Sequence, residues 1–404
     1  MIKRLLPESA LPRLRRLQYR FQRLKHHCHR VMQGEARVKT TDSFVDFSAR
    51  KAHTFFGYYD LSPFGPQNRV VYLEVSDDKS DAAIVLNDPG NGGQECVAYS
   101  KAWNWQQGCR LRWFPGADND VIFNDFRDGK YISRRLNVKT KDEILYPFPI
   151  YDISCDGKCA VSLDFNRLGY MRPGYGYTKL PFDKADNILD SGISVYSLED
   201  KGEVASVSFL QMAEVLGLDP ANQESWYVNH LSFSPGGESF LFFFIVECGD
   251  SFKASLLVYD MKDKKILPLE TEYKVSHYAW RDDNSILCTA YDPSGCCRYY
   301  IYTLEPRSRV EVESDYLTRD GHPSFISDGV ILTDTYPDAL GYQHIFTYDF
   351  ATGQKTAVAD VFDVTALDAE HRTDLHPRYD PVTKSVSFDA NACGHRHFYI
   401  LKLA

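Results

Sequence analysis

The feature that most constrains this chain is a unit that recurs seven times between residues 50 and 404. Each copy is a short strand ending in an aromatic or aliphatic anchor, then a turn of the SP, DG or DP type, then a strongly apolar strand. HLSFSPGGESFLFFF (230–244) and HPSFISDGVILTD (322–334) are two examples. The anchors are Leu61, Trp113, Ile153, Phe233, Trp280, Phe325 and Tyr379, spaced by 52, 40, 80, 47, 45 and 54 residues. A third strand follows every copy, from AAIVLND to HFYILKL, and a weaker fourth follows most, as in ECVAYS and EILYPF. Four strands at a spacing of ~40 to 50 residues mark a propeller blade. The sequence therefore predicts an all-β fold, a seven-bladed β-propeller over residues 40–404, with an N-terminal amphipathic helical extension over 1–39. The last copy ends after three strands, so SFVDFSA (43–49) is expected to supply the fourth and cover the exposed sheet edge.

The 80-residue spacing is the outlier and predicts an insertion at 165–228. It holds RLGYMRPGYGYTKLPFDKADN (167–187) and a helical stretch near SFLQMAEVLG (208–217). Gly and Pro fix a loop shape, while Arg167, Arg172, Tyr175 and Tyr177 offer charge and stacking suited to sugar rings and anions. Long excursions in compact domains are often binding loops or lids, and an ordinary insertion packing on its neighbours stays open beside that reading.

Charge divides the chain in two. Residues 1–39 carry eleven Lys and Arg against Glu8 and Glu35, a balance of +9, so the rest of a chain with net charge -9 stands at -18. An acidic body argues against a nucleic-acid partner. Leu14, Leu17, Phe21, Leu24, Cys28 and Val31 recur at steps of three and four, with Arg13, Arg16, Arg20 and Arg23 on the flanks. Such a basic amphipathic helix suits an anionic membrane surface, a protein partner, the acidic body or a short coiled coil, and these alternatives stay open. No run approaches the ~20 apolar residues of a spanning helix, and no secretory signal is evident. The ten cysteines form no CxxC or zinc pattern and are expected to be free thiols. The expected location is cytoplasmic, with the leader able to hold the protein peripherally at the inner membrane face.

Three residues before the anchors stand Tyr58, Arg110, Ile150, His230, His277, His322 and His376. In a propeller the equivalent positions of inner strands converge on the axis, so four consecutive blades present a histidine to one cavity. Such histidines also tie neighbouring blades together without any ligand. The densest cluster is HRTDLHPR, with His371, Arg372, Asp374, His376 and Arg378. His371, Asp374 and His376, with His322 from the adjacent blade, form an N/O set for a divalent ion. An Asp and His pair beside two arginines is also stable without metal. Asp334 and Tyr336 in TDTYPD add polar groups from the sixth blade. There is no GxSxG elbow, Walker loop or HExxH helix.

The HPSF, SDG and HPRY units resemble the repeats of oligogalacturonate-lyase-like and TolB-like seven-bladed propellers over residues 50–404. RLGYMRPGYGY, LTDTYPD and RTDLHPRYDPVTKSVSFDANACGHR resemble a bacterial group of lyase-like propellers associated with surface-polysaccharide gene clusters. The lyase resemblance implies a manganese site of three His and one Gln, part of it a QxxHxH string before a Pro. In HRTDLHP, His371 falls at the Gln position, Asp374 at the first His and His376 at the second, with His322 or His277 available from an earlier blade. Two of those three positions differ from the pattern.

The resemblance also implies a carbon-oxygen lyase that performs β-elimination on an acidic, uronate-containing oligo- or polysaccharide. That chemistry needs a cation against the uronate carboxylate and a base against C5. Arg110, Arg172, Arg372, Arg378 or a metal are candidates for the first role, and His230, His277 or Tyr58 for the second. Two further readings stand beside it: a noncatalytic scaffold of a cytoplasmic polysaccharide-assembly complex, and a glycoside hydrolase using Asp334 and Asp374.

Overall fold

The computed structural model describes residues 11–33, 38–48, 52–76, 78, 80–90, 92–249, 251–338, 340–362, 372–391 and 394–403. Seven antiparallel sheets follow one another along the chain and form a seven-bladed propeller. In blade 4 the strands are Trp226–Phe233, Ser239–Cys248, Ser251–Asp260 and Lys265–Glu270, running from the axis outward. The burial follows that order. The second strand, SFLFFFIVEC, is buried at six consecutive residues because blades cover both its faces. Outer strands such as Glu143–Tyr146 and Ser308–Glu311 are largely exposed. The turns joining first to second strands need a left-handed residue, and the DG pairs supply it at Gly157 (φ 71°) and Gly329 (φ 86°).

The ring closes as the three-stranded last repeat predicts. β1 (Val38–Thr40) and β2 (Phe44–Asp46) precede blade 1, and β2 pairs antiparallel with His397–Lys402 as the fourth strand of blade 7. β1 was not foreseen: it pairs with Lys355–Phe362 and makes blade 6 five-stranded. The end of the 1–39 leader is thus part of a propeller sheet. Before it runs helix α1 (Leu11–Gln33).

The single insertion expected over 165–228 is two excursions. The first leaves blade 3 between Cys159–Ser162 and Gly192–Ser197 and contains α2 (Phe165–Met171), capped by Asp164, which accepts from the amides of Asn166 and Arg167. The second connects blades 3 and 4 through α3 (Phe209–Leu216), which starts with a Ser208/Gln211 capping box and ends at Gly217 (φ 65°). Strands Gly192–Ser197 and Glu203–Ser208 lie between them and complete blade 3. The described cysteines are free, and no helix among the described residues is long and apolar enough to cross a membrane.

Candidate functional site

The inner strands deliver the histidines to the axis by breaking their own alternation. The ladder of blade 4 is interrupted between Asn229 and Ser232, and that of blade 5 between Val275 and Tyr278, so His230 and His277 sit in bulges. Arg110, His230 and His376, equivalent positions in three blades, all adopt left-handed backbone (φ 54°, 57° and 45°). A non-glycine residue there is strained, a conformation that tends to be kept at functional sites. His322 and His376 precede the inner strands Ser324–Ser327 and Arg378–Asp380, and Tyr58 lies in the segment after Ala52–Phe55.

Tyr58 occupies the centre of the group. Its ring centroid lies 4.7 Å from His376, 5.3 Å from His230, 6.1 Å from His322 and 6.5 Å from His277. His322 is 4.1 Å from His277 and 4.4 Å from His376. All four imidazoles and the phenol are buried.

Three of the imidazoles are fixed from outside through Nδ1. His322 Nδ1 meets both oxygens of Asp334 at 2.8 and 3.0 Å, His277 Nδ1 meets Asp320 at 2.9 Å, and His376 Nδ1 meets the Gly57 carbonyl at 2.8 Å. Asp334 also accepts the amides of His322 and His376, which locks the two residues to each other. Nε2 of His322 and Nε2 of His376 are then buried with no hydrogen-bond partner. Buried polar atoms are normally satisfied, and these two stand with His230 Nδ1 and Tyr58 Oη, also without a partner among the described residues, which makes the group a candidate seat for a ligand. A carboxylate oxygen of Asp374 completes a set whose atoms all lie within 4.8 Å of one another. Imidazoles oriented through Nδ1 by a carboxylate or carbonyl, joined by one carboxylate, suit a divalent transition metal. These residues fit the group. His371, the fourth ligand expected, lies outside the described residues.

The electrostatics separate the four histidines. Burial, then the neighbouring His277 and Arg172, depress His230 well below its ordinary pKa, and burial, then His322 and Arg378, do the same to His376. Burial also lowers His277, with Asp320 opposing it. At His322 burial again favours the neutral ring, but Asp334, with Asp374 and Asp320, outweighs it and raises the pKa. Burial works against the Asp374 carboxylate, and Arg372, paired through both oxygens at 2.7 Å, overcomes it and holds the acid low. Burial raises the Tyr58 phenol well above its ordinary value.

Several expected site residues hold the framework instead. Arg110 is locked to both oxygens of Asp60 (3.1 and 2.9 Å) and to the Tyr151 carbonyl, so it does not face substrate. Arg167 donates to the carbonyls of Trp226, Gln223 and Glu224 and braces the first excursion. Arg378 is buried against Asp389 at 2.8 Å and the Tyr58 carbonyl, which makes it a seam residue between blades 7 and 1, not a catalytic one. Tyr177 stacks on Phe165 at 4.7 Å and accepts from Asn124, so it is core. Asp334 orients His322 and does not reach for substrate. With Asp334 tied to imidazole and Asp374 held ionised by Arg372, neither is placed as the general acid a hydrolase pair needs.

Arg172, Tyr175, Tyr336 and Arg372 roof the group. Arg372 lies over Tyr336 at 4.6 Å, and Tyr336 is 5.6 Å from His322. Arg172 lies over Phe252 at 4.9 Å and Tyr175 at 5.5 Å and has no carboxylate partner among the described residues. Beneath them is a cavity of about 40 Å³ lined by Arg172, Tyr175, Asn229, His230, His277 and Tyr336. On the other side of Tyr175 a cleft of about 470 Å³ is lined by Lys101, Trp103, Trp105, Tyr170 and Lys179.

Asp320, the partner of His277, was not anticipated from sequence. It stands in blade 6's approach segment yet serves a blade 5 histidine, assisted by Ser276, Thr289 and Tyr291. The DGH string was the only local signal, and it points at His322. Gly321 between them is required by close approach: a Cβ there would stand 2.0 Å from the Asp334 carbonyl oxygen. Gly321→Ala is expected to push Asp334 away from His322 and to weaken any divalent-ion binding by the His322, Asp374 and His376 set about tenfold, read by metal titration. An unchanged titration would show that Asp334 does not set the His322 ring.

No family model matches this chain, and no curated protein matches it. Solved structures do. An oligogalacturonate lyase in complex with manganese is similar at 13% identity, with 91% of this chain and 94% of that one covered and a TM-score of 0.67. An oligogalacturonate lyase from Vibrio parahaemolyticus is similar at 11% identity, with 91% and 98% covered and a TM-score of 0.61. The β-propeller domain of the Trilobed protease from Pyrococcus furiosus is similar at 12% identity, with 87% and 94% covered and a TM-score of 0.52. At these identities the likeness establishes the propeller fold.

Proposed function

We propose that the protein is a lyase that cleaves an acidic, uronate-containing glycan by β-elimination at the propeller mouth. The observation that carries this reading is the pair of orphaned Nε2 atoms on His322 and His376 beside Asp374. The fold shared with a lyase described in complex with manganese supports it. A divalent ion held by these three side chains would supply Lewis-acid stabilisation of the charge that develops on the uronate carboxylate.

The chain's own residues complete the reaction. Arg172, without a carboxylate partner among the described residues and lining the small cavity with His277, neutralises the uronate carboxylate, which makes the C5 proton acidic. His277 takes that proton on Nε2, because Nδ1 is committed to Asp320 and burial keeps the ring neutral. The C4–O bond then breaks, leaving a C4=C5 double bond, and the departing oxygen needs a proton. Tyr58 is the candidate donor: its ring lies 6.5 Å from His277, burial keeps its phenol protonated, and its hydroxyl has no partner among the described residues.

The cavity of about 40 Å³ admits a carboxylate but not a whole sugar ring. The larger cleft, with two Trp, Tyr170 and two lysines, suits the following acidic residues of the chain. Neither lysine has a carboxylate partner among the described residues. Lys179→Glu is expected to raise KM for a uronate tetramer about fivefold and leave a dimer unchanged. Equal effects on both would place the lysine outside the binding path. The reaction itself is tested by the ultraviolet absorbance of the unsaturated uronate, with and without manganese. No absorbance on any uronate polymer sinks the proposal.

A further inference from the structure

α1 turns its apolar stripe away from the protein that carries it. Leu17, Phe21, Leu24, Val31 and Met32 are between 58 and 76% exposed, and their spacing places them on one face. The helix meets the propeller with other residues. His26 Nε2 is 3.2 Å from the Tyr342 hydroxyl, and the His27 ring stacks on Phe362 at 5.5 Å with planes 8° apart. Leu17 and His26 are nine residues apart, about two and a half helical turns, which puts them on opposite sides. A surface helix of a globular protein ordinarily buries its apolar stripe against the core and shows its polar face to water. Here the orientation is reversed.

The charge of the helix narrows what covers the stripe. Its 23 residues, LPRLRRLQYRFQRLKHHCHRVMQ, contain seven Lys and Arg and no Asp or Glu. A second copy of α1 would bring like charge against like charge. An anionic lipid surface meets both requirements together: acyl chains for Leu17, Phe21 and Leu24, and headgroups for the exposed Arg20 and Lys25.

The place of contact also matters. Tyr342 opens strand Tyr342–Asp349 and Phe362 closes Lys355–Phe362. This is the end of blade 6 at which Asp334 closes Val330–Asp334, the end that holds His322. α1 therefore sits at the rim of the face that opens on the histidine group.

We infer that α1 is an interfacial anchor that binds the protein to an anionic lipid surface by its mouth side. The inference is independent of the lyase reading. The test is sedimentation of the full-length protein with vesicles of phosphatidylcholine alone or mixed with phosphatidylglycerol. Sedimentation is expected only with the mixed vesicles, to fall as salt is raised, and to weaken about tenfold or more in the Phe21→Glu, Leu24→Glu double variant. Both side chains are exposed, so the variant is expected to keep the wild-type melting temperature. Three results would each overturn the inference. The protein could ignore the anionic vesicles, the double variant could sediment as the wild type does, or a lipid-free dimer could become monomeric in the variant.

Discussion

On the proposed lyase site, His376→Ala is expected to abolish manganese binding and to slow uronate elimination by about a hundredfold or more, beyond the usual cost of losing an outer-shell partner. The ring offers one of three buried imidazole nitrogens without a hydrogen-bond partner among the described residues, the others being His322 Nε2 and His230 Nδ1, and of the described donor set only His322 and Asp374 would remain. His376 Nδ1 is spent on the Gly57 carbonyl, so the substitution also removes one link between blades 7 and 1. Asp334→Asn separates the two effects, because it leaves every donor and the His376–Gly57 link in place and disturbs the seat of the His322 ring and of the His376 amide. Its expected cost is about tenfold to a hundredfold in metal affinity. Electron paramagnetic resonance of free Mn²⁺ during titration measures both variants. If His376→Ala holds manganese as tightly as the wild type, the ion sits elsewhere and the assignment is wrong.

Asp389→Ala is expected to destabilise the fold by about 3 to 5 kcal/mol. Asp389 stands on blade 7 and accepts the amides of Phe56 (3.0 Å) and Gly57 (3.3 Å) from blade 1. It also pairs with Arg378 at 2.8 Å, with both side chains almost fully buried. Removing the carboxylate leaves a guanidinium in the interior with no counter-charge and frees two buried amides, which is why the cost exceeds that of a surface ion pair. Urea unfolding followed by tryptophan fluorescence gives the number. A loss below about 1 kcal/mol would mean that the seam is held by β2 and not by this network.

The propeller was legible because every repeat carries its own evidence. Anchor, turn and apolar second strand are local patterns, and even the strand that closes blade 7 could be placed from the missing fourth strand. β1 was illegible because three residues, Val38–Thr40, have no pattern that distinguishes a fifth strand from a linker. The histidines were found because repeat alignment maps sequence position onto the axis. Their partners were not, because the site is assembled between blades: Asp320 serves His277, and Asp334 holds the amide of His376. The arginines misled for the same reason. A guanidinium near a cavity reads as a ligand for anions, and only its fixed neighbours show that Arg110, Arg167 and Arg378 are already engaged.

β1 and β2 stitch the start of the propeller to blades 6 and 7, and Asp46 and His397, which meet across that closure, are 351 residues apart in the chain. At ~5 to 20 residues per second, a ribosome needs roughly 20 to 70 s to make the intervening chain. For that interval β2 has no strand to pair with, and six sheets can form while the ring stays open. α1 emerges before either of them, so the proposed lipid anchor would be available on the nascent chain long before its propeller is able to close.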